Sequence, residues 1–218
     1  MTRRNTPRIS FIGFGEAGQA IAAGLRDTGI EQIAAWDILF PLETGAKLKT
    51  AGEKIGVRLA NSAADAVADS DIIISAVTAA SSLEAAQSAA PHLKGNPYYL
   101  DINSVSPGRK QATEKLLDGK ARYVDVAVIA PIHPKRHQTP MLLAGPHAQA
   151  VAPLLQEMAM TLRIVPGETG KAAAIKMIRS VMIKGMEALT LECYLAASRA
   201  GLLDEVLVSM KNNYPALD

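Results

Sequence analysis

Cysteine occurs once in 218 residues, at Cys193, so no disulfide can close within the chain and a thiolate-based structural zinc site has no second thiol to use. That usage fits a reducing compartment, and a cytoplasmic location is expected. Charge of one sign is lacking too: 23 Lys and Arg stand against 21 Asp and Glu, a formal balance of +2. Neutralising a phosphate backbone requires a basic excess, so nucleic acid is not an expected partner. No apolar run reaches the roughly 18 residues of a membrane span. The basic start, residues 1–8, leads into a strand-like segment instead of a signal-peptide core, so no membrane partner and no processing are expected. What is present is 49% apolar residues against 20% charged, enough for one full-sized core and a small second one.

The first apolar burst, Ile9-Ser10-Phe11-Ile12, is short, rich in β-formers and cut off by Gly13, which predicts a buried strand. Residues 16–26 then place Ala17, Ala20, Ile21, Gly24 and Leu25 at helical spacing before the breakers Asp27-Thr28-Gly29. The alternation repeats. Strands are predicted at 32–36, 56–60, 71–77, 98–102 and 123–128, with a Pro/Gly-punctuated stretch between the first two. Helices are predicted from Ser62, whose hydroxyl can cap it, and over 81–90 and 107–117. Ile72-Ile73-Ile74 is apolar on both faces, as a central parallel strand covered by helices must be. A doubly wound α/β sheet follows, completed by a strand at 141–144, a helix at 148–158 and a strand at 162–165. This domain spans residues 1–165.

Beyond Pro166-Gly167 the pattern changes. Residues 168–200 contain no proline and carry apolar side chains around most of a helical circumference, predicting one helix of roughly 50 Å. Gly201 ends it, and a second helix is predicted over 202–214. Residues 166–218 are therefore the start of an all-α C-terminal domain. Two helices cannot wrap so apolar a rod, so the expectation is a homodimer through these helices or further helices missing from an incomplete domain.

Gly13-Phe14-Gly15-Glu16-Ala17-Gly18 is a G-x-G-x-x-G sequence that follows a predicted strand and opens a predicted helix. In that context Gly13 permits the tight turn, Gly15 lets a pyrophosphate approach the backbone, and Gly18 lets helix and strand pack closely. The anion would rest on free N–H groups at the helix's positive end. Asp37 lies 19 positions after Gly18, where a carboxylate accepts hydrogen bonds from an adenosine ribose and repels a 2′-phosphate. NAD is the expected cofactor, with NADP the alternative if a basic residue follows. Val77 and Thr78, leaving the central strand, are placed to meet the nicotinamide half. Lys176 interrupts an apolar stretch, with Ser180, Ile183 and Glu187 within about 40° of it on the helix face and Arg179 within about 60°. Desolvation and nearby positive charge would both lower its pKa into a range useful for proton exchange.

With these features the chain resembles the β-hydroxyacid dehydrogenases, the superfamily of 3-hydroxyisobutyrate and 6-phosphogluconate dehydrogenases, whose nucleotide domain has the Rossmann fold. Ile12 to Gly18 is similar to that family's cofactor fingerprint. Asp101-Ile102-Asn103-Ser104-Val105-Ser106-Pro107 is similar to its D-x-S-T-x-x-P segment, and Gly170 to Lys176 to its G-x-G-x-x-x-K segment. The resemblance implies that Lys176 is the catalytic lysine and that Asn103 and Ser104 lie near substrate and nicotinamide. Two departures accompany it. The family's D-A-P-V-S-G-G is here Asp125-Val126-Ala127-Val128-Ile129-Ala130-Pro131, without the Ser-Gly-Gly donors that hold a carboxylate, and its K-x-x-N-N is here Lys176-Met177-Ile178-Arg179-Ser180. Arg179 and Ser180 are accordingly substrate-binding candidates. So is His133, which with Lys135 and Arg136 could close over an anion in place of the lost donors. Pro134 forbids the helix that would align His133 with His137, so no metal is expected. These changes, with Lys184 to Leu189, are most similar to the phosphogluconate-dehydrogenase-like branch that carries a C-terminal domain of unknown function. The implied activity is NAD(P)-dependent oxidation of a small β-hydroxy acid or hydroxyamino acid, or its reverse. The alternatives are an imine (C=N) reductase on the same scaffold and a non-enzymatic cofactor-binding sensor.

Overall fold

The computed structural model describes residues 6–213. The first five residues of the basic start and the expected helix end at Tyr214 lie outside that range. The chain opens with β1 (Ile9–Ile12), α1 (Glu16–Asp27), β2 (Ile33–Trp36), α2 (Ala46–Ile55), β3 (Arg58–Leu59), α3 (Ala63–Val67) and β4 (Ile72–Ser75). It continues through α4 (Ser82–Ala89), β5 (Tyr98–Asp101), α5 (Pro107–Leu116), β6 (Arg122–Val128), β7 (Met141–Ala144), α6 (Ala148–Glu157) and β8 (Leu162–Ile164). Then come α7 (Lys171–Ala200) and α8 (Leu203–Asn213).

The eight strands form one sheet in the order β3-β2-β1-β4-β5-β6-β7-β8. All pairs are parallel except β6 with β7. The reversal follows from the connection: residues 129–140 contain no crossover helix, and only antiparallel neighbours can be joined without one. Because side chains alternate along each strand, the sheet buries two faces. Ile9, Phe11, Ile72, Ile74, Leu100, Val124 and Val126 pack with Ile21 and Leu25 of α1 and with Val151 and Leu155 of α6. Ile12, Ile73, Tyr99 and Tyr123 face the other way, against Ala63, Val67, Ala86 and Leu117. The all-apolar β4 is thus explained by cover on both sides.

Two expectations are corrected. The Pro/Gly-punctuated stretch after β2 contains a helix, α2, whose Gly52 lets the Leu59 side chain approach to within 2.6 Å of where a Cβ would stand. The long helix starts at Lys171, not at residue 168, because Gly170 takes φ +101 in the turn before it.

The chain divides into two compact units, residues 1–176 and 177–218. The division falls within α7: Ala172 and Ala173 are buried in the first unit, while most side chains from Met177 onward are exposed. In the second unit Ile178, Val181, Met182 and Leu189 are each more than 60% exposed, and Cys193 Sγ lies 3.9 Å from Met210 Sδ. Among the described residues no helix is long and apolar enough to cross a membrane.

Candidate functional site

The glycine turn sits at the carboxyl edge of the sheet, where open α/β folds take ligands. Gly13 has φ +89, and a Cβ there would fall 2.5 Å from Val77 Cγ1 and onto the carbonyl of Ala76. The turn and the loop leaving β4 are therefore in direct contact. At Gly18 a Cβ would stand 2.8 Å from the Gly13 carbonyl oxygen, which is the close strand-to-helix packing expected of that position. At Gly15 a Cβ would meet nothing within 4 Å. Open space thus faces the start of α1, and that end has no side-chain cap. The first helical bond runs from Gln19 N to Gly15 O at 3.0 Å, so the amides ahead of it have no intrahelical partner. A cradle of this kind fits a pyrophosphate.

Asp37 is half-buried beside this turn: Oδ2 accepts from Phe14 N at 2.7 Å and Oδ1 from Leu39 N at 2.9 Å. Each oxygen keeps a lone pair for a hydroxyl. Residues 38–42 are Ile, Leu, Phe, Pro and Leu, so no basic side chain follows at once. Phe14 takes part through its backbone alone, because its ring is fully buried against Phe11 and Phe40. Glu16 is exposed, and Ala17 reaches the cleft described next.

Between the loops after β4, β5 and β6 lies a cleft of about 290 Å³, lined by Ala17, Val77, Asn103, Ser104, Ile132 and Lys176 among others. Lys176, half-buried in α7's second turn, donates to Ser104 Oγ at 2.6 Å. Burial, and secondarily the positive charge of Lys110, lowers its pKa below the ordinary lysine value. Asn103 is only 5% exposed. Its Oδ1 accepts from Val77 N at 2.7 Å and its Nδ2 donates to Ser75 Oγ at 2.9 Å. Both ends of the amide are thus engaged within the protein, where they lock the β4 and β5 loops together. One N–H and one lone pair remain for anything in the cleft.

The other candidates fall elsewhere. Thr78 is exposed, with its hydroxyl 3.1 Å from Ser81 Oγ, and the cleft is lined instead by its neighbours Val77 and Ala79. The loop after β6 turns Ile132 into the cleft, whereas His133 is exposed and outside its lining. Arg136, grouped with His133 as an anion clamp, is ion-paired with Asp27 at the end of α1. Arg179 and Ser180 lie on α7 within the second unit. Val128, Ala130 and Ile132, none of them charged, form the wall on that side of the cleft.

Sequence reasoning missed Lys110. Its side chain is fully buried, with Nζ 3.2 Å from Asp101 Oδ1 and 3.6 Å from Asp125 Oδ1. Asp101 also accepts from Tyr123 OH at 2.8 Å. Local sequence gives no sign of this, since Lys110 stands in a polar helix. The signal available was nonlocal: two apolar strands each carry an aspartate toward the carboxyl edge, and two buried acids require a cation.

A model of the NAD binding domain of 6-phosphogluconate dehydrogenase matches residues 8–168. A conserved hypothetical protein from Sinorhizobium meliloti 1021 is 38% identical, covering 98% of this chain and 72% of its own, with a TM-score of 0.79. An uncharacterized 28.5 kDa protein from Methanothermus fervidus is 32% identical over 92% of this chain and 74% of its own length. A conserved protein of unknown function, described as structurally similar to 3-hydroxyacid dehydrogenases, is 31% identical over 96% of this chain and 77% of its own, at a TM-score of 0.78. The fold alone is shared with a 3-hydroxyisobutyrate dehydrogenase of Mycobacterium tuberculosis, at 18% identity. It is likewise shared, at 22% identity, with an imine reductase of Myxococcus stipitatus in complex with NADP+ and with its V8 variant in complex with NAD+.

Proposed function

Because the chain belongs to the family built on the NAD binding domain of 6-phosphogluconate dehydrogenase, we propose that it is an NAD-dependent dehydrogenase acting on a CH–OH group. Its substrate is a small β-hydroxy acid or hydroxyamino acid, or the corresponding carbonyl compound in reverse. The observation that carries this reading is Lys176: an amine of lowered pKa, 2.6 Å from Ser104 Oγ, in a cleft bordered by the turn's Ala17.

Gly13, Gly15 and Gly18 shape the backbone seat, the free amides at Glu16 and Ala17 receive the pyrophosphate, and Asp37 receives the ribose hydroxyls. Val77 borders the nicotinamide side. When bound, the nicotinamide gives or takes the hydride. Lys176 handles the coupled proton, taking it from the substrate hydroxyl during oxidation and returning it to the carbonyl oxygen during reduction. Ser104 orients the amine by accepting its hydrogen bond, and Asn103 fixes the loops around it. The carboxylate at Asp37 supports NAD over NADP, since a 2′-phosphate there meets negative charge.

A second reading has its own support. The wall of Val128, Ala130 and Ile132 brings no charged side chain to the cleft, and Pro131 has no N–H to donate. That surface suits an uncharged substrate such as an imine, which Lys176 would protonate at nitrogen. A panel of β-hydroxy acids, hydroxyamino acids and cyclic imines, run with both nicotinamide cofactors and followed by nicotinamide absorbance, separates the two. Oxidation of hydroxy acids with NAD supports the first, imine reduction alone supports the second, and NAD binding without turnover on any of them removes both. The exposed apolar side chains of the second unit further support a homodimer through the C-terminal helices; light scattering that finds only monomer contradicts it.

A further inference from the structure

Asp101 and Asp125 face each other in the register of β5 and β6, and both are buried to 1% or less. Two carboxylates side by side without water cannot both stay ionised unless a cation stands between them. Lys110 of α5 is that cation, itself fully buried. Its Nζ contacts one carboxylate oxygen of each aspartate and donates to the carbonyl oxygens of Asp101 at 2.5 Å and Val126 at 3.3 Å. One positive charge against two negative ones leaves a residual negative charge, which the start of α7 meets. Asp125 Oδ2 accepts from the amides of Gly170, Ala172 and Ala173 at 2.9, 3.1 and 3.2 Å, where the helix dipole is positive.

Each carboxylate roots one side of the cleft. Asp101 Oδ1 accepts from Asn103 N at 2.9 Å and so fixes the residue before Ser104. Asp125 holds the turn from which α7 carries Lys176, one helical turn beyond Ala172. The contact between Lys176 Nζ and Ser104 Oγ therefore joins the far ends of two arms whose roots meet at Lys110.

We propose that Lys110 is a positioning residue of this cleft: it ties the Asp101 arm to the Asp125 arm, sets the spacing of Ser104 and Lys176, and adds its charge to the surroundings of the Lys176 amine. The proposal rests on the functional reading above only for the use made of Lys176. Loss of the Lys110 charge lets the Lys176 amine hold its proton to higher pH, and loss of the tie frees the amine from Ser104.

Competitive labelling with trace acetic anhydride across a pH series, read at the Lys176 peptide by mass spectrometry, measures both the titration midpoint of the amine and the reactivity of its neutral form. In wild type the midpoint is expected below the ordinary lysine value of 10.5, because burial disfavours the charged amine. In Lys110→Met it is expected to rise by about half a pH unit or more. A second variant, Lys110→Met with Asp101→Asn, removes one charge of each sign and so preserves both the net charge of the cluster and an acceptor for Asn103 N. It tests the tie should the single variant fail to fold, with the neutral-amine reactivity of Lys176 expected to rise about threefold or more. An unchanged midpoint in folded Lys110→Met, or an unchanged reactivity in the folded double variant, overturns the proposal. Neither readout needs turnover. The tie can therefore fail while the dehydrogenase reading stands, and the reverse.

Discussion

Gly13→Ala and Gly15→Ala, two substitutions in one turn, are expected to fail in different ways, and the difference isolates the nucleotide seat from the fold. At Gly13 the backbone has φ +89, and an added methyl falls 2.5 Å from Val77 Cγ1 and onto the Ala76 carbonyl. Strain at positive φ costs about 1–3 kcal/mol and overpacking about as much again. The sum, about 2–6 kcal/mol, lowers the melting temperature by roughly 4–24 °C in a chain of this size. At Gly15 the methyl meets no protein atom within 4 Å. Only the poorer helix-capping of alanine is lost there, about 0.5–1 kcal/mol, so melting falls by no more than about 4 °C. The methyl does project into the space in front of the uncapped start of α1. Displacing a pyrophosphate from one of those amides forfeits a charge-assisted hydrogen bond of about 1.5–3 kcal/mol, which is roughly 10- to 150-fold in NAD affinity. The single tryptophan, Trp36, ends β2 next to Asp37, so its quenching on titration with NADH reads the affinity, while circular dichroism reads the melting. A Gly15→Ala protein that binds NADH as tightly as wild type would falsify the placement of the pyrophosphate.

Three further outcomes follow from the same geometry. Asp37→Ala removes the carboxylate beside Phe14 N and is expected to weaken NAD by about tenfold while narrowing its advantage over NADP; the check is parallel titration of Trp36 fluorescence with the two reduced cofactors. Asp125→Ala strips the amides of Gly170, Ala172 and Ala173 of their acceptor and leaves Lys110 with one carboxylate instead of two, at a cost of about 3–5 kcal/mol by denaturant titration. His137 is buried with neither ring nitrogen hydrogen-bonded; burial first and Arg136 second push its pKa below the ordinary 6.5, against Asp27. The unfolded chain therefore takes up the proton first as pH falls. Stability is full above about pH 6.5 and declines toward the folded pKa, so the melting temperature of wild type should drop between about pH 7.5 and 5.5 by more than that of His137→Met.

Much of this architecture is legible in the sequence because its signals are local. The burst at Ile9–Ile12, the glycines after it and the run Ile72-Ile73-Ile74 each carry their own burial pattern within a few residues. Where the cause is nonlocal, reading fails. Helix α2 hides behind Pro41, Gly45 and Gly52, and the reason for Gly52 is Leu59, seven residues away. The antiparallel β7 depends on what the connection from β6 lacks, not on any residue within β7. At the candidate site, the turn, Asp37, Ser104 and Lys176 stand in motifs. Lys110 does not, since a lysine in a polar helix reads as solvated until Asp101 and Asp125 are seen to converge on it. Asn103 is placed near substrate by its motif, but the partners that engage its amide, Val77 N and Ser75 Oγ, come from β4 and the loop after it and leave no local sign.

In the proposed reaction the Lys176 amine moves the proton that accompanies hydride transfer, beside a cofactor it does not hold. Comparing Lys176→Ala with wild type in single turnover, on whichever substrate the panel identifies and with Trp36 quenching measured alongside, tests that claim directly. The expected result is a rate lower by about 10²–10⁴-fold with cofactor affinity unchanged. Equal rates in the two proteins would contradict it.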